Sequence, residues 1–70
     1  MIHHPVTSSR IAMIGYDPAT AELEIVFKEG KIYRYRGVPE HLFHTFLSVV
    51  SKGRFYDGVI RDKFPYTRIR

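Results

Sequence analysis

Cysteine is absent from this chain of 70 residues, which excludes disulfides and thiolate metal sites and makes a reducing cytoplasm the simplest compartment. Long apolar runs are missing too. The longest are interrupted within a few residues, and Met1-Ile2-His3-His4-Pro5 lacks the apolar core of a signal peptide, so a soluble protein without a membrane span is expected. There is no internal repeat, low-complexity tract or interdomain linker. The length allows one domain with a small core, because a chain of this size buries only about 60% of the surface its unfolded form exposes. Paired carboxylates, a P-loop and a dinucleotide fingerprint are also lacking, which argues against an enzyme.

What is present begins with charge. The net charge is +4 at neutral pH, and it is unevenly distributed. Up to Ser51, Arg10, Lys28, Lys31, Arg34 and Arg36 are balanced by Asp17, Glu22, Glu24, Glu29 and Glu40. From Lys52 onward, Lys52, Arg54, Arg61, Lys63, Arg68 and Arg70 face only Asp57 and Asp62. Long-range attraction for a polyanion is therefore expected from the C-terminal segment.

Residues 1–9 read as a loose arm. RIAMIGY (10–16) is rich in β-formers and stops at DPAT, where Asp17 and Pro18 suit the first two positions of a type I turn. AELEIVFK alternates, with Leu23, Ile25 and Phe27 on one face and Glu22, Glu24 and Val26 on the other. A three-residue loop, Lys28-Glu29-Gly30, with Gly30 left-handed, pairs Ile25 with Tyr33 and Leu23 with Tyr35 on one face. It pairs Glu24 with Arg34 and Glu22 with Arg36 on the other. A two-residue turn would mix apolar and charged side chains on one face, so the first register is preferred. Pro39 fits the first turn of a helix whose inner face is Leu42, Phe43, Phe46, Leu47 and Val50, stopping near Gly53. FYDGVIRDKFP reads as a short second helix ended by Pro65, with Phe55, Val59 and Ile60 inward. The expected fold is α+β: a three-stranded antiparallel meander packed on one face by a helix and a shorter C-terminal one.

The stretch KIYRYRG resembles a nucleic-acid-binding strand, with Tyr33 and Tyr35 to stack and Arg34 and Arg36 for phosphates. In a strand, however, successive side chains point to opposite faces. The tyrosines are thus expected in the core and the arginines opposite glutamates. His41 and His44, with Glu40 nearby, are too few for a metal site, which needs three or four ligands, and His3 and His4 on an arm are poor additions. No metal or cofactor is expected. Thr7-Ser8-Ser9 lacks a nucleophile-elbow context and reads as a polar lead into a strand. The stronger candidate is the C-terminal segment. Arg54 and Arg61, seven apart, would share a helical face, extended by Lys52, Lys63, Arg68 and Arg70, with Tyr56 and Tyr66 to stack bases.

SSRIAMIGYD, LEIVF, the YRY centre, GVP, SKGRFYDGVIRDKFP and Arg68 together resemble the KTSC domain, a family named for its place at the C-terminus of some lysyl-tRNA synthetases and found also as small free-standing bacterial and phage proteins. The likeness runs from about Val6 to Arg68. Tyr33 and Tyr35 match the family's tyrosine-x-tyrosine pair, and Ser8, Ser9, Gly15, Tyr16, Gly37, Pro39, Gly53, Ile60 and Arg61 fall where its pattern places such residues. The synthetase fusion implies RNA as a ligand by association.

The expectation is a non-catalytic RNA-binding module using the C-terminal cations. The alternatives are a protein-interaction module, docking through a strand edge or the His41/His44 helix face, and a pocket for a small phosphorylated ligand. In that pocket Arg61 would bind the anion and Ser8 or Ser9 would supply hydrogen bonds.

Overall fold

The computed structural model describes residues 1–70. Its organising element is the hairpin that the alternation of Glu22–Phe27 demands. The expected register is present: Leu23 pairs with Tyr35, Glu24 with Arg34, Ile25 with Tyr33 and Val26 with Ile32. Gly30 has φ 108°, a conformation costly to any residue with a Cβ. Its amide donates to the Phe27 carbonyl at 2.9 Å.

Three strands were expected and five are present, all antiparallel and in chain order: β1 (Ile2–Pro5), β2 (Ile11–Asp17), β3 (Glu22–Phe27), β4 (Ile32–Tyr35) and β5 (Tyr66–Arg68). The supposed N-terminal arm is β1. Its His3 lies opposite Gly15 and its His4 opposite Ile14. Proline is tolerated in it because β1 is an edge. At the opposite edge, β5 sets Tyr66 against Tyr35 and Arg68 against Tyr33. A register shift between Ile11 and Met13 inserts Ala12 as a bulge, which turns both Ile11 and Ile14 into the core, each fully buried. The turn after β2 forms as expected at Asp17-Pro18: the Thr20 amide donates to the Asp17 carbonyl and the Ala19 amide to Asp17 Oδ1.

The outer face of the sheet carries a polar row across four strands. Glu24 accepts from Arg34 Nε and Nη2 at 3.0 and 2.8 Å, and its other oxygen lies 2.7 Å from His3 Nε2. Burial pushes the Glu24 carboxyl up, but the hydrogen bonds and charge of Arg34 and His3 bring it below the ordinary value. Gly15 makes the row possible, since a Cβ there would stand 2.8 Å from His3 Cδ2 and 3.0 Å from the Ile2 carbonyl. The second expected pair is not made. Arg36 lies beyond the end of β4 and donates instead to Thr67 Oγ1 at 2.8 Å, while Glu22 accepts from Thr20.

On the inner face, α1 (Glu40–Ser48) buries Phe43 and Phe46. It covers the β1–β2 side, where the Phe43 ring stacks on Tyr16 at 5.2 Å and meets His4 at 5.7 Å. The helix ends before Val50, which is 96% exposed rather than inward, and Val49 packs on the core in its place. Gly53 does not stop this helix. It lies in a short second helix, α2 (Lys52–Phe55), which continues into a π-helical turn over Tyr56–Ile60. Tyr56 and Ile60 are the buried residues of that turn, with Phe55 and Val59 half-buried beside them.

Candidate functional site

A five-stranded sheet is wider than α1, and α2 with its π turn reaches only as far as Phe27 and Tyr35 through the Tyr56 ring. The inner face over β4 and β5 is left open. The result is a cleft of about 710 Å³ with Phe27, Tyr33, Tyr35, Tyr56 and Tyr66 among its walls. Tyr66 lies 5.1 Å from Tyr33 and 5.4 Å from Tyr35, ring centre to ring centre. Strand pairing produces this cluster, because Tyr35 and Tyr66 are direct partners and Tyr33 is two residues away on the same face.

The Tyr35 and Tyr56 hydroxyls lie 2.6 Å apart at the buried end. Burial raises both phenols above their ordinary value, Tyr35 the more strongly. Both are therefore neutral at any physiological pH: they can exchange hydrogen bonds but cannot serve as bases. Tyr66, 53% exposed, offers its ring to an incoming group.

The rim carries Arg10, Lys28, Lys31 and Arg61 against two carboxylates, Glu29 and Asp62. Arg10 is fixed in place. Its Nη2 donates to the Gly53 carbonyl at 2.7 Å and to Asp57 Oδ2 at 2.9 Å. The guanidinium lies close over Gly53, where a Cβ would stand 2.7 Å from the same nitrogen and oblige it to shift. Lys31 pairs with Glu29 at 2.9 Å, which raises its pKa, and its ammonium stands 5.7 Å from the centre of the Tyr33 ring. Arg61 is only loosely held, 3.8 Å from Asp57.

The cationic face expected from the C-terminal segment is divided. Lys52 is 9% exposed and its ammonium is engaged by the Val49 carbonyl, which removes it from the surface. Arg54 and Arg61 do not share a helical face, because the π turn changes the spacing and Arg61 lies beyond it in extended backbone. Arg54 borders a second, shallower depression with Ser8 and Ser51, on the other side of the Arg10–Asp57 pair. Lys63 and Arg70 are exposed, and Arg68 Nε donates to the Arg70 carbonyl. Of the expected stacking pair, Tyr66 and Tyr56 both reach the cleft. They are joined there by Tyr33 and Tyr35, while Arg34 and Arg36 lie on the opposite face.

Ser8 Oγ accepts from the Arg10 and Ile11 amides, a local cap at the start of β2; Ser9 borders the cleft. His41 is exposed, and His44 Nε2 lies 3.3 Å from Glu40 Oε2 one turn away. No three His, Cys, Asp or Glu side chains come together as metal ligands, and no helix is long and apolar enough to cross a membrane. Sequence reasoning missed Arg10, Lys28, Lys31 and Asp62 as cleft residues. No sequence signal separated them from other surface charges, and Gly53, read as a helix stop, gave no hint of the Arg10 guanidinium that lies over it.

Residues 7–64 match the family model of the KTSC domain. This chain belongs to the KTSC domain family. The crystal structure of a KTSC domain protein from Yersinia pestis is 53% identical and superposes with a TM-score of 0.92 over 99% of this chain and 97% of that one. A protein of Tsukamurella paurometabola is 42% identical over 60 residues, covering 86% of this chain and 90% of its own. One from Stutzerimonas stutzeri is 36% identical over 63 residues, 89% of each. The match to the Yersinia protein spans both edge strands of this KTSC domain, β1 and β5.

Proposed function

We propose that this KTSC domain is a non-catalytic module that binds single-stranded RNA, taking an unstacked base into the tyrosine cleft while the flanking phosphates lie on the rim cations. The observation that carries the reading is the coincidence of two accessible stacking faces, the exposed Tyr66 and the half-buried Tyr33, with four cations at the rim of the same cleft, Tyr35 being buried behind them. Stacking of one base on such rings contributes about 1 to 3 kcal/mol, and phosphate contacts add affinity that salt erodes. The fusion of related domains to lysyl-tRNA synthetases favours RNA over DNA. Relative to the expectation from sequence, the contact surface moves from the C-terminal segment to the cleft and keeps Arg61, Tyr56 and Tyr66.

Fluorescence anisotropy of a short labelled RNA tests this. Tyr66→Ala removes an exposed ring at little structural risk and is expected to weaken binding about tenfold. With three to four phosphates on the rim, the plot of log affinity against log salt should have a slope of about −2 to −3, and Arg61→Ala should flatten it by about 0.7. Binding that ignores salt, or that Tyr66→Ala leaves intact, refutes the reading.

A second reading, a small phosphorylated ligand, is supported by the cleft volume, which falls in the range of about 300 to 1,000 Å³ typical of small-molecule pockets. It predicts that a mononucleotide alone stabilises the protein against heat in a saturable way. An interaction module would instead give a concentration-dependent mass. Both edges are short and β1 ends in Pro5, features that blunt pairing with another strand.

A further inference from the structure

Stacking on tyrosine is indifferent to which base arrives, because every base has a π face. Any selectivity must come from hydrogen-bonding groups in the walls. Most of those near the mouth are cations, suited to phosphate. The exceptions are hydroxyls, Ser9 and the tyrosines, which can both donate and accept, and two groups that only accept, the carboxylates of Glu29 and Asp62. Glu29 is held by Lys31; Asp62 has neither an ion pair nor a side-chain hydrogen bond, although it stands between Arg61 and Lys63.

Asp62 is also held in an unusual conformation. Its φ is 62°, in the left-handed region that aspartate and asparagine tolerate better than most residues. The reversal follows the extended Arg61 and is closed by the Lys63 amide donating to the Ile60 carbonyl at 3.1 Å. A free carboxylate at the mouth of a phosphate-binding cleft repels the ligand's backbone, unless it accepts hydrogen bonds from the base.

We propose that Asp62, the unpaired carboxylate in the wall of the tyrosine cleft, reads guanine, accepting its N1–H and N2–H on its two oxygens. The inference rests on the RNA reading and deepens it. Among the four RNA bases, guanine alone presents two adjacent N–H donors on its Watson–Crick edge. Adenine and cytosine each place a ring-nitrogen acceptor beside their amino donor, and uracil flanks its single N–H with two carbonyls. A carboxylate that accepts two hydrogen bonds from guanine meets a lone pair in each of the other three.

The test uses a uridine oligomer with one central position varied among guanosine, adenosine, cytidine, uridine and inosine, with anisotropy as the readout. Guanosine should bind about tenfold tighter than the other three standard bases, as a bidentate base contact provides. Inosine, lacking the 2-amino group, should lose most of that advantage. Asp62→Asn keeps the left-handed backbone accessible and should erase the preference while leaving uridine-oligomer binding equal or stronger. Equal affinity for all four standard bases, or a guanosine preference that survives Asp62→Asn, overturns the guanine assignment and leaves the RNA reading standing. Failure to bind any oligomer overturns both.

Discussion

The hydroxyl pair at the closed end of the cleft gives a prediction whose size follows from its geometry. Tyr35 and Tyr56 are 1% and 5% exposed, and their oxygens lie 2.6 Å apart, at the short end of the range for O–H···O bonds. Tyr35→Phe removes one partner and leaves the Tyr56 hydroxyl buried without its bond. The cost of stranding such a group is about 1 to 3 kcal/mol. Tyr56→Phe strands the Tyr35 hydroxyl in the same way. Replacing both removes donor and acceptor together and leaves two phenyl rings in well-packed positions, so the double variant should be no less stable than either single one. The coupling between the two changes should then be at least as large as one single loss, about 1 to 3 kcal/mol. For a domain of this size each kcal/mol moves Tm by about 4 to 8 °C, so thermal melts of the four proteins resolve it. Losses that simply add would show that the hydroxyls do not depend on one another, and the account of the cleft's closed end would be wrong.

Gly15→Ala places a Cβ against His3 and the Ile2 carbonyl. It should displace β1 and speed amide exchange in residues 2–5 with a loss of about 1 to 3 kcal/mol; unchanged exchange would contradict the close approach. Glu24 predicts a pH dependence. Its carboxyl lies below the ordinary carboxylate value in the native state, so the unfolded chain takes up that proton first. Its contribution is complete above the unfolded value and is lost as pH falls through the folded one. Melts from about pH 6 to about pH 2 should therefore show a steeper decline for the native sequence than for Glu24→Gln, and parallel curves would remove Glu24 from the account.

The central hairpin was legible because alternation, Gly30 and opposite charges all favour one register. The edge strands were not. IHHP carries two histidines and a proline, and YTR is three residues long, so both owe their structure to hydrogen bonding with a neighbour rather than to a pattern of their own. Missing β5 also hid the cleft, since Tyr66 reaches Tyr33 and Tyr35 only through that pairing. The charge reading failed for a related reason. Balance along the chain does not give balance in the cleft: Glu22 and Glu24 face the opposite side of the sheet and Glu40 opens α1, so of those N-terminal carboxylates only Glu29, paired with Lys31, stands at the rim beside Arg10, Lys28 and Lys31. The π turn had no sequence signature beyond Gly58, and it is what splits Arg54 from Arg61.

The most direct measurement exploits the chain's fluorophores. It has five tyrosines and no tryptophan, and four of the five, Tyr33, Tyr35, Tyr56 and Tyr66, line the cleft. Titrating single-stranded RNA while recording tyrosine emission and the anisotropy of the labelled RNA together should give saturable quenching that tracks binding. RNA that binds while tyrosine emission stays constant would place the contact outside the cleft and contradict the account.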